Sequence, residues 1–310
     1  MDNYLHSPLD CSNYSLFHPL PFSHSRYLGV KIRQFRNRNK SSFPFISGDT
    51  IASLTDHIAY GKLKNEKIDL KKIAKAKSVF VPGDMLTRFL VESEGFLGAD
   101  TLVTGNGDQN FENVLQVPKS IKLWLCQNNG MPPRDGLLTL PIGLENLRLG
   151  RINLKHYLQQ REFNAVNNKV LIPPMSPSNL IRHKVVFESM LRPNVFDVEK
   201  KMLPLNEYFS KAKRYQFIFC CEGNGFDTHR LWETLYQGSF PVMLESNWSL
   251  SLKYLKLPIL YVKTLEEINI EKLTIFSNEH ANYNPVKLDS LWIPYWKSII
   301  SSGLSSTFVM

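Results

Sequence analysis

The stretch Tyr215–Met243, reading YQFIFCCEGNGFDTHRLWETLYQGSFPVM, constrains the fold of this chain more than any other. Phe217-Ile218-Phe219-Cys220-Cys221 is short, apolar and aromatic, as a strand covered on both faces must be. Glu222-Gly223-Asn224-Gly225 breaks it. Asp227 is placed to cap a helix from Thr228 to about Gln237, with Gly238 just past its end and Pro241 soon after. Phe240–Leu244 reads as the next strand. Strand, polar loop, helix and strand in this order make a right-handed crossover in a parallel sheet. The loop and the helix N-terminus then lie at the carboxyl edge of the sheet, where backbone N–H groups and the helix dipole favour anions.

The rest of the chain repeats the alternation. Ser78–Val81, Thr101–Thr104 and Lys122–Cys126 read as strands, stopping at Pro82-Gly83-Asp84, Gly105-Asn106-Gly107-Asp108 and Gln127-Asn128-Asn129. Met85–Glu94 has helical apolar spacing, and a helix after Gly48 is predicted over Ile51, Leu54 and Ile58, with Asp49 or Thr50 as its cap. Lys169–Ile172 is a strand closed by Pro173-Pro174, followed by a helix over Ser176–Met190 that carries Asn179 and Arg182 toward one face. Leu288–Ile300, with Trp292 and Trp296 four apart, reads as an amphipathic helix. The expected architecture is α/β, with two unequal Rossmann-like halves. Residues 1–28 are an irregular lead-in, 29–160 the first domain and 161–310 the second, with the linker within 141–167.

Composition narrows the class. At 43% hydrophobic and 21% charged residues the chain reads as a soluble globular protein. It shows neither a membrane-length apolar run nor a basic-then-apolar leader, so a cytoplasmic location is expected. Cys11, Cys126, Cys220 and Cys221 form no CxxC pair and read as small buried hydrophobes. The net charge of +9, concentrated in Lys31–Lys40 and Lys62–Lys77, is either two solvated faces or a preference for an acceptor that is anionic or sits at a membrane surface. No zinc-finger, RNP or helix-turn-helix signal is present, so nucleic acid is not an expected partner.

The unit after Phe217 also carries chemistry. Arg230, in the first turn of the predicted helix, has the rigid donor fork that suits a pyrophosphate. Glu233 is one turn on and suits ribose hydroxyls, and Glu222 at the strand end suits a base or sugar. The bland alternative is an exposed pair at i, i+3, worth about 0.2–0.5 kcal/mol.

Glu233, Gly238 and Pro241-Val242 form a Glu-x-x-x-x-Gly-x-x-Pro-Val string that resembles the donor-binding signature of glycosyltransferases with two facing Rossmann domains, the GT-B fold. The longer Gly-Asn-Gly-x-Asp-Thr-His-Arg-x-Trp-Glu, from Gly223 to Glu233, is similar to the exostosin-like subset. Downstream, Glu245-Ser246, Leu257–Val262 and Glu266-Glu267-Ile268 resemble the same pattern, and Leu140–Asn146 echoes the exit from the first domain. The resemblance implies a nucleotide-sugar donor held by Glu222, Asn224, Gly225, His229, Arg230, Glu233 and Arg182, a hydroxyl acceptor on a glycan or other molecule, inversion at the transferred sugar, and a C-terminal helix packed back on the first domain. His229 would contact phosphate or orient Glu222.

Transfer needs a base for the acceptor proton. The position of Asp108 resembles the His-Asn-x-Asp type loop of such transferases, although Gly105 replaces the histidine; the alternative is that Asp108 simply closes a turn, and Asp49 and His57 are its rivals as base. The chain has no Asp-x-Asp, so neither a metal nor a cofactor beyond the sugar nucleotide is expected. The competing classes are a non-catalytic nucleotide- or carbohydrate-binding protein on the same fold, and a basic nucleic-acid binder.

Overall fold

Two parallel five-stranded sheets organise the computed structural model, which describes residues 41–60, 67–113, 116–158, 167–176 and 179–302. The lead-in 1–28, the basic run Lys31–Lys40, Cys11 and linker residues 159–166 lie outside the described residues. The first sheet is preceded by α1 (Gly48–Ala52) and contains β1 (His57–Ile58), α2 (Leu70–Lys75), β2 (Ser78–Pro82), α3 (Leu86–Glu92), β3 (Thr101–Gly105), β4 (Leu123–Cys126) and β5 (Leu137–Thr139). Its strands lie side by side in chain order. A connection holding α4 (Lys155–Leu158) leads to β6 (Asn167–Ile172), α5 (Leu180–Met190), β7 (Phe196–Val198), α6 (Leu205–Ala212), β8 (Tyr215–Phe219), α7 (His229–Tyr236), β9 (Phe240–Leu244), α8 (Asn247–Ser251), β10 (Leu260–Val262), α9 (Ile270–Glu279) and α10 (Ile293–Ser302). The second sheet runs β10-β9-β8-β6-β7, so the strand order reverses between β6 and β8.

Winding explains the layering. Five parallel strands in chain order place every right-handed crossover on one face. On that face Val79, Val81, Leu102 and Trp124 pack with Ile73 of α2 and Phe89 of α3. The alternate residues Phe80, Val103 and Leu125 point the other way, where no crossover covers them. They are buried instead in a core shared with Leu171, Ile218 and Met243 of the second sheet and with Trp296, Ile299 and Ile300 of α10. The C-terminal helix therefore does pack back toward the first half. Ile293 N–H donates to the Pro44 carbonyl at 3.0 Å, and Phe45 bridges Trp292. Phe45 also meets the rings of Tyr236 and Trp292 at 5.0 and 5.3 Å.

Four local expectations are corrected. The helix after Gly48 ends at Ala52, and its cap is Ser47. Ile58 belongs to β1, because the Asp56 carboxylate accepts the N–H groups of Lys77 and Ser78 and lays the next residues beside β2. The last helix starts at Ile293; Trp292 precedes it in extended conformation, its indole N–H donating to the Pro285 carbonyl at 3.0 Å. Finally, Asp227 is not a cap: α7 begins after Thr228 with no side-chain cap bond. By contrast β9, Phe240–Leu244, has the predicted bounds, and Gly238 takes the left-handed φ of +74° that ends α7. Cys126, Cys220 and Cys221 are free and buried. Among the described residues no helix is long and apolar enough to cross a membrane.

Trp296 is fully buried and joins the C-terminal helix to the shared core. Trp296→Ala is expected to cost about 3–5 kcal/mol in urea unfolding. A change within 1 kcal/mol, on the order of ordinary surface substitutions, would show that α10 is not part of the cooperative unit.

Candidate functional site at the strand-order reversal

In open parallel sheets the crevice outside the carboxyl ends of the strands, at the point where the order reverses, is where ligands bind. Here that point lies between β6 and β8. The segment after β6 supplies Asn179, which caps α5 by accepting the Arg182 N–H at 3.0 Å. Its amide also donates to the Gly223 carbonyl at 2.8 Å. Arg182 Nε donates to the Glu222 carbonyl at 2.7 Å, and its Nη1 donates to Ser176 Oγ at 2.9 Å. Asn179 and Arg182 thus share a face as predicted, but both grip backbone, so Arg182 positions the loop with bonds already committed. The loop is tight against it. A Cβ on Gly223 would stand 2.8 Å from Arg182 Nη2.

Glu222 is half-buried, and its Oε1 accepts the Ser246 hydroxyl at 3.1 Å. Ser246 in turn caps α8. Burial raises the Glu222 carboxyl above the usual carboxylate range, and the nearby Glu112 charge adds to the rise.

Loops of the first sheet close over this one. Asn224 Nδ2 donates to Asp108 Oδ2 at 3.3 Å, Phe226 N–H to Asn110 Oδ1 at 2.9 Å and Asp227 N–H to Asn128 Oδ1 at 2.8 Å. Asn128 has a left-handed φ of 55°, which turns its amide toward the Gly107 carbonyl, 3.2 Å away. Gly225 has no room for a side chain, since a Cβ would lie 2.7 Å from Asn128 Nδ2. Asp108, Asn224 and Gly225 are therefore brought together.

Asp227 is buried, and both of its oxygens are engaged. Oδ1 accepts the Trp232 indole N–H at 2.8 Å, and Oδ2 accepts the Ile142 N–H of the chain leaving the first sheet at 2.7 Å. Burial pushes its carboxyl up to about 7, against the lowering pull of these donors.

The remaining candidates sit apart. Arg230 lies over the Tyr208 ring, 4.1 Å from its centroid, with Nη1 buried and unpaired. Glu233 is buried in the same cluster, beside Tyr157 and Arg230. His229 Nδ1 pairs with the Gly143 carbonyl at 2.8 Å; it does not orient Glu222. Asp49 accepts Arg148 Nε at 2.7 Å and the Asn106 amide at 3.1 Å. His57 opens β1, at the amino edge of the first sheet, so the structure places it at the opposite edge from Asp108. Among the described residues no three His, Cys, Asp or Glu side chains converge as metal ligands would. Two members of the site escape sequence reasoning. Asn110 and Glu112 lie in a segment without motif or period, and only the meeting of the two halves brings them to the loop.

No protein-family model matches the chain, and no curated protein matches it.

The raised carboxyl of Asp227 sets a pH dependence. Between its unfolded value and about 7 the folded state holds the extra proton. Stability from this group is therefore greatest at low pH and is lost as pH rises through about 7. Between about pH 5 and about pH 8 the loss should be on the order of 2 kcal/mol, and Asp227→Asn should flatten it in urea unfolding at the two pH values. Parallel curves for the two proteins would remove Asp227 as the source.

Proposed function

We propose that the chain is an exostosin-like glycosyltransferase with a GT-B arrangement, moving a sugar from a nucleotide donor to an acceptor hydroxyl. The observation that carries this reading is the Glu222–Gly225 loop, set at the strand-order reversal and facing the Asp108 loop of the other sheet. A diphosphate leaving group needs donors aimed at its developing charge, and inversion needs a base on the far side of the sugar. The Phe226 and Asp227 N–H groups ahead of α7 are already committed to Asn110 and Asn128, so the donors left for an anion are the first N–H groups of α7 and the unpaired Nη1 of Arg230. Arg230 must leave the Tyr208 ring to reach an anion, so donor binding and a rotamer change are coupled in this reading. Glu233, buried one turn below, serves the ribose end. Acceptor recognition falls to the first-sheet loops, where Asp49, Asn106, Asn146 and Arg148 form one polar network.

The direct test is a panel of sugar nucleotides and free nucleoside diphosphates read by thermal unfolding. A ligand at 100 times its dissociation constant stabilises the fold by about 2.7 kcal/mol. One nucleotide series should do so. A flat response across the panel would contradict the reading, and binding without turnover would favour a non-catalytic nucleotide-binding protein.

Arg230→Lys keeps the charge but loses the planar fork. It should weaken the diphosphate that stabilises the fold by about 1.5–3 kcal/mol, measured by calorimetric titration. Unchanged affinity would take Arg230 out of the site.

A further inference from the structure

The helix α5 is apolar on both of its sides. Inward, Val185 packs with Val170, Ile172 and Phe196 of the second sheet, Ser189 is buried, and Arg182 reaches the Glu222 carbonyl at 2.7 Å. Outward, Leu180 is 85% exposed, Phe187 49% and Leu191 67%, with Ile181 and Met190 exposed beside them. Single exposed apolar side chains are ordinary. Five on one three-turn helix, with no described residue covering them, form a patch of the kind that marks an interaction site. A helix apolar on both sides is expected to be covered on both.

Spacing and charge decide what fits. Leu180, Lys184, Phe187 and Leu191 follow one another at four, three and four residues, the stripe that one helix offers to another. We infer that α5 is a homodimer interface, pairing antiparallel with α5 of a second copy of this chain about a two-fold axis between residues 185 and 186. Such an axis requires one patch to complement itself. This stripe does so: Leu180 of one copy meets Leu191 of the other, Lys184 lies over the Phe187 ring, and Glu188 beside that ring faces the Lys184 ammonium. Within one chain Lys184 and Glu188 stand 3.7 Å apart, and the Lys184 side chain is 73% exposed, so its charge is accessible to a second copy. An anionic membrane is the poorer match. Glu188 borders the stripe and Glu266 is close to Lys184, so the patch lacks the basic excess that a lipid surface selects.

The test is sedimentation equilibrium of the full chain without any nucleotide, so its outcome is separate from that of the function proposed above. One short helix lies at the small end of interface sizes, so association is followed up to about 100 μM chain. The unmodified protein should fit a monomer–dimer equilibrium, and Phe187→Asp should abolish it. Lys184→Glu and Glu188→Lys each set like charges against one another across the axis and should raise the dissociation constant at least about tenfold. An equimolar mixture of these two variants restores both opposite-charge contacts in the heterodimer and should return the constant toward the unmodified value. Neither variant keeps the ion pair within its own helix, so only pairing across the axis produces this rescue. A chain that stays monomeric, a dimer indifferent to Phe187→Asp, or a mixture that associates no better than each variant alone overturns the assignment. Co-sedimentation of a monomeric chain with phosphatidylserine vesicles, lost in Phe187→Asp, overturns it in favour of a membrane surface.

Discussion

The arrangement depends on one buried carboxylate. Asp227 sits in the loop that follows β8, yet its partners lie elsewhere: the Ile142 N–H comes from the chain leaving the first sheet, and its own N–H goes to Asn128 at the end of β4. The Trp232 indole completes the set from inside α7. Burying a carboxylate is costly unless hydrogen bonds replace the lost water. Here they come from both halves at once. The two sheets are thereby registered against each other at the place where the Glu222–Gly225 loop meets the Asp108 loop.

This registration works because the sheets also share apolar ground. The first sheet winds in a single direction and has no crossover helices on one face. That face is closed by the segment around Phe45, by the second half and by α10. The described contacts tie the two halves together through this shared core. The seam has an apolar layer, Phe45 with Tyr157, Tyr236 and Trp292, and a polar rim of Asn110, Asn128, Asp108 and Asn224.

How legible this was in the amino-acid string follows from where the determining interactions lie. The strand Phe240–Leu244 and the stop at Gly238 were readable because apolar runs and a left-handed glycine are local signals. The shared face of Asn179 and Arg182 was readable because helical spacing is local too. The edge strand His57–Ile58 was not, since two residues carry no period and their pairing is set by Asp56 reaching Ser78. Asp227 passed for a cap because Asp before a helix ordinarily is one; its acceptor role depends on Ile142, distant in sequence. Arg230 looked exposed at a helix start, and only Tyr208 on α6 shows that it folds inward. The type of each candidate residue is a local fact, while its surroundings are set by partners distant in sequence, Ile142 for Asp227 and Tyr208 for Arg230.

The central claim is that a nucleotide-linked sugar binds between the Glu222–Gly225 loop and the Asp108–Glu112 loop. Hydrogen–deuterium exchange with and without the stabilising nucleoside diphosphate tests it most directly, because the two loops belong to different sheets. The account predicts slowed exchange in 222–230 together with 106–112, and little change at the amino edge near His57. Protection confined to one sheet, or centred at the amino edges, would contradict it.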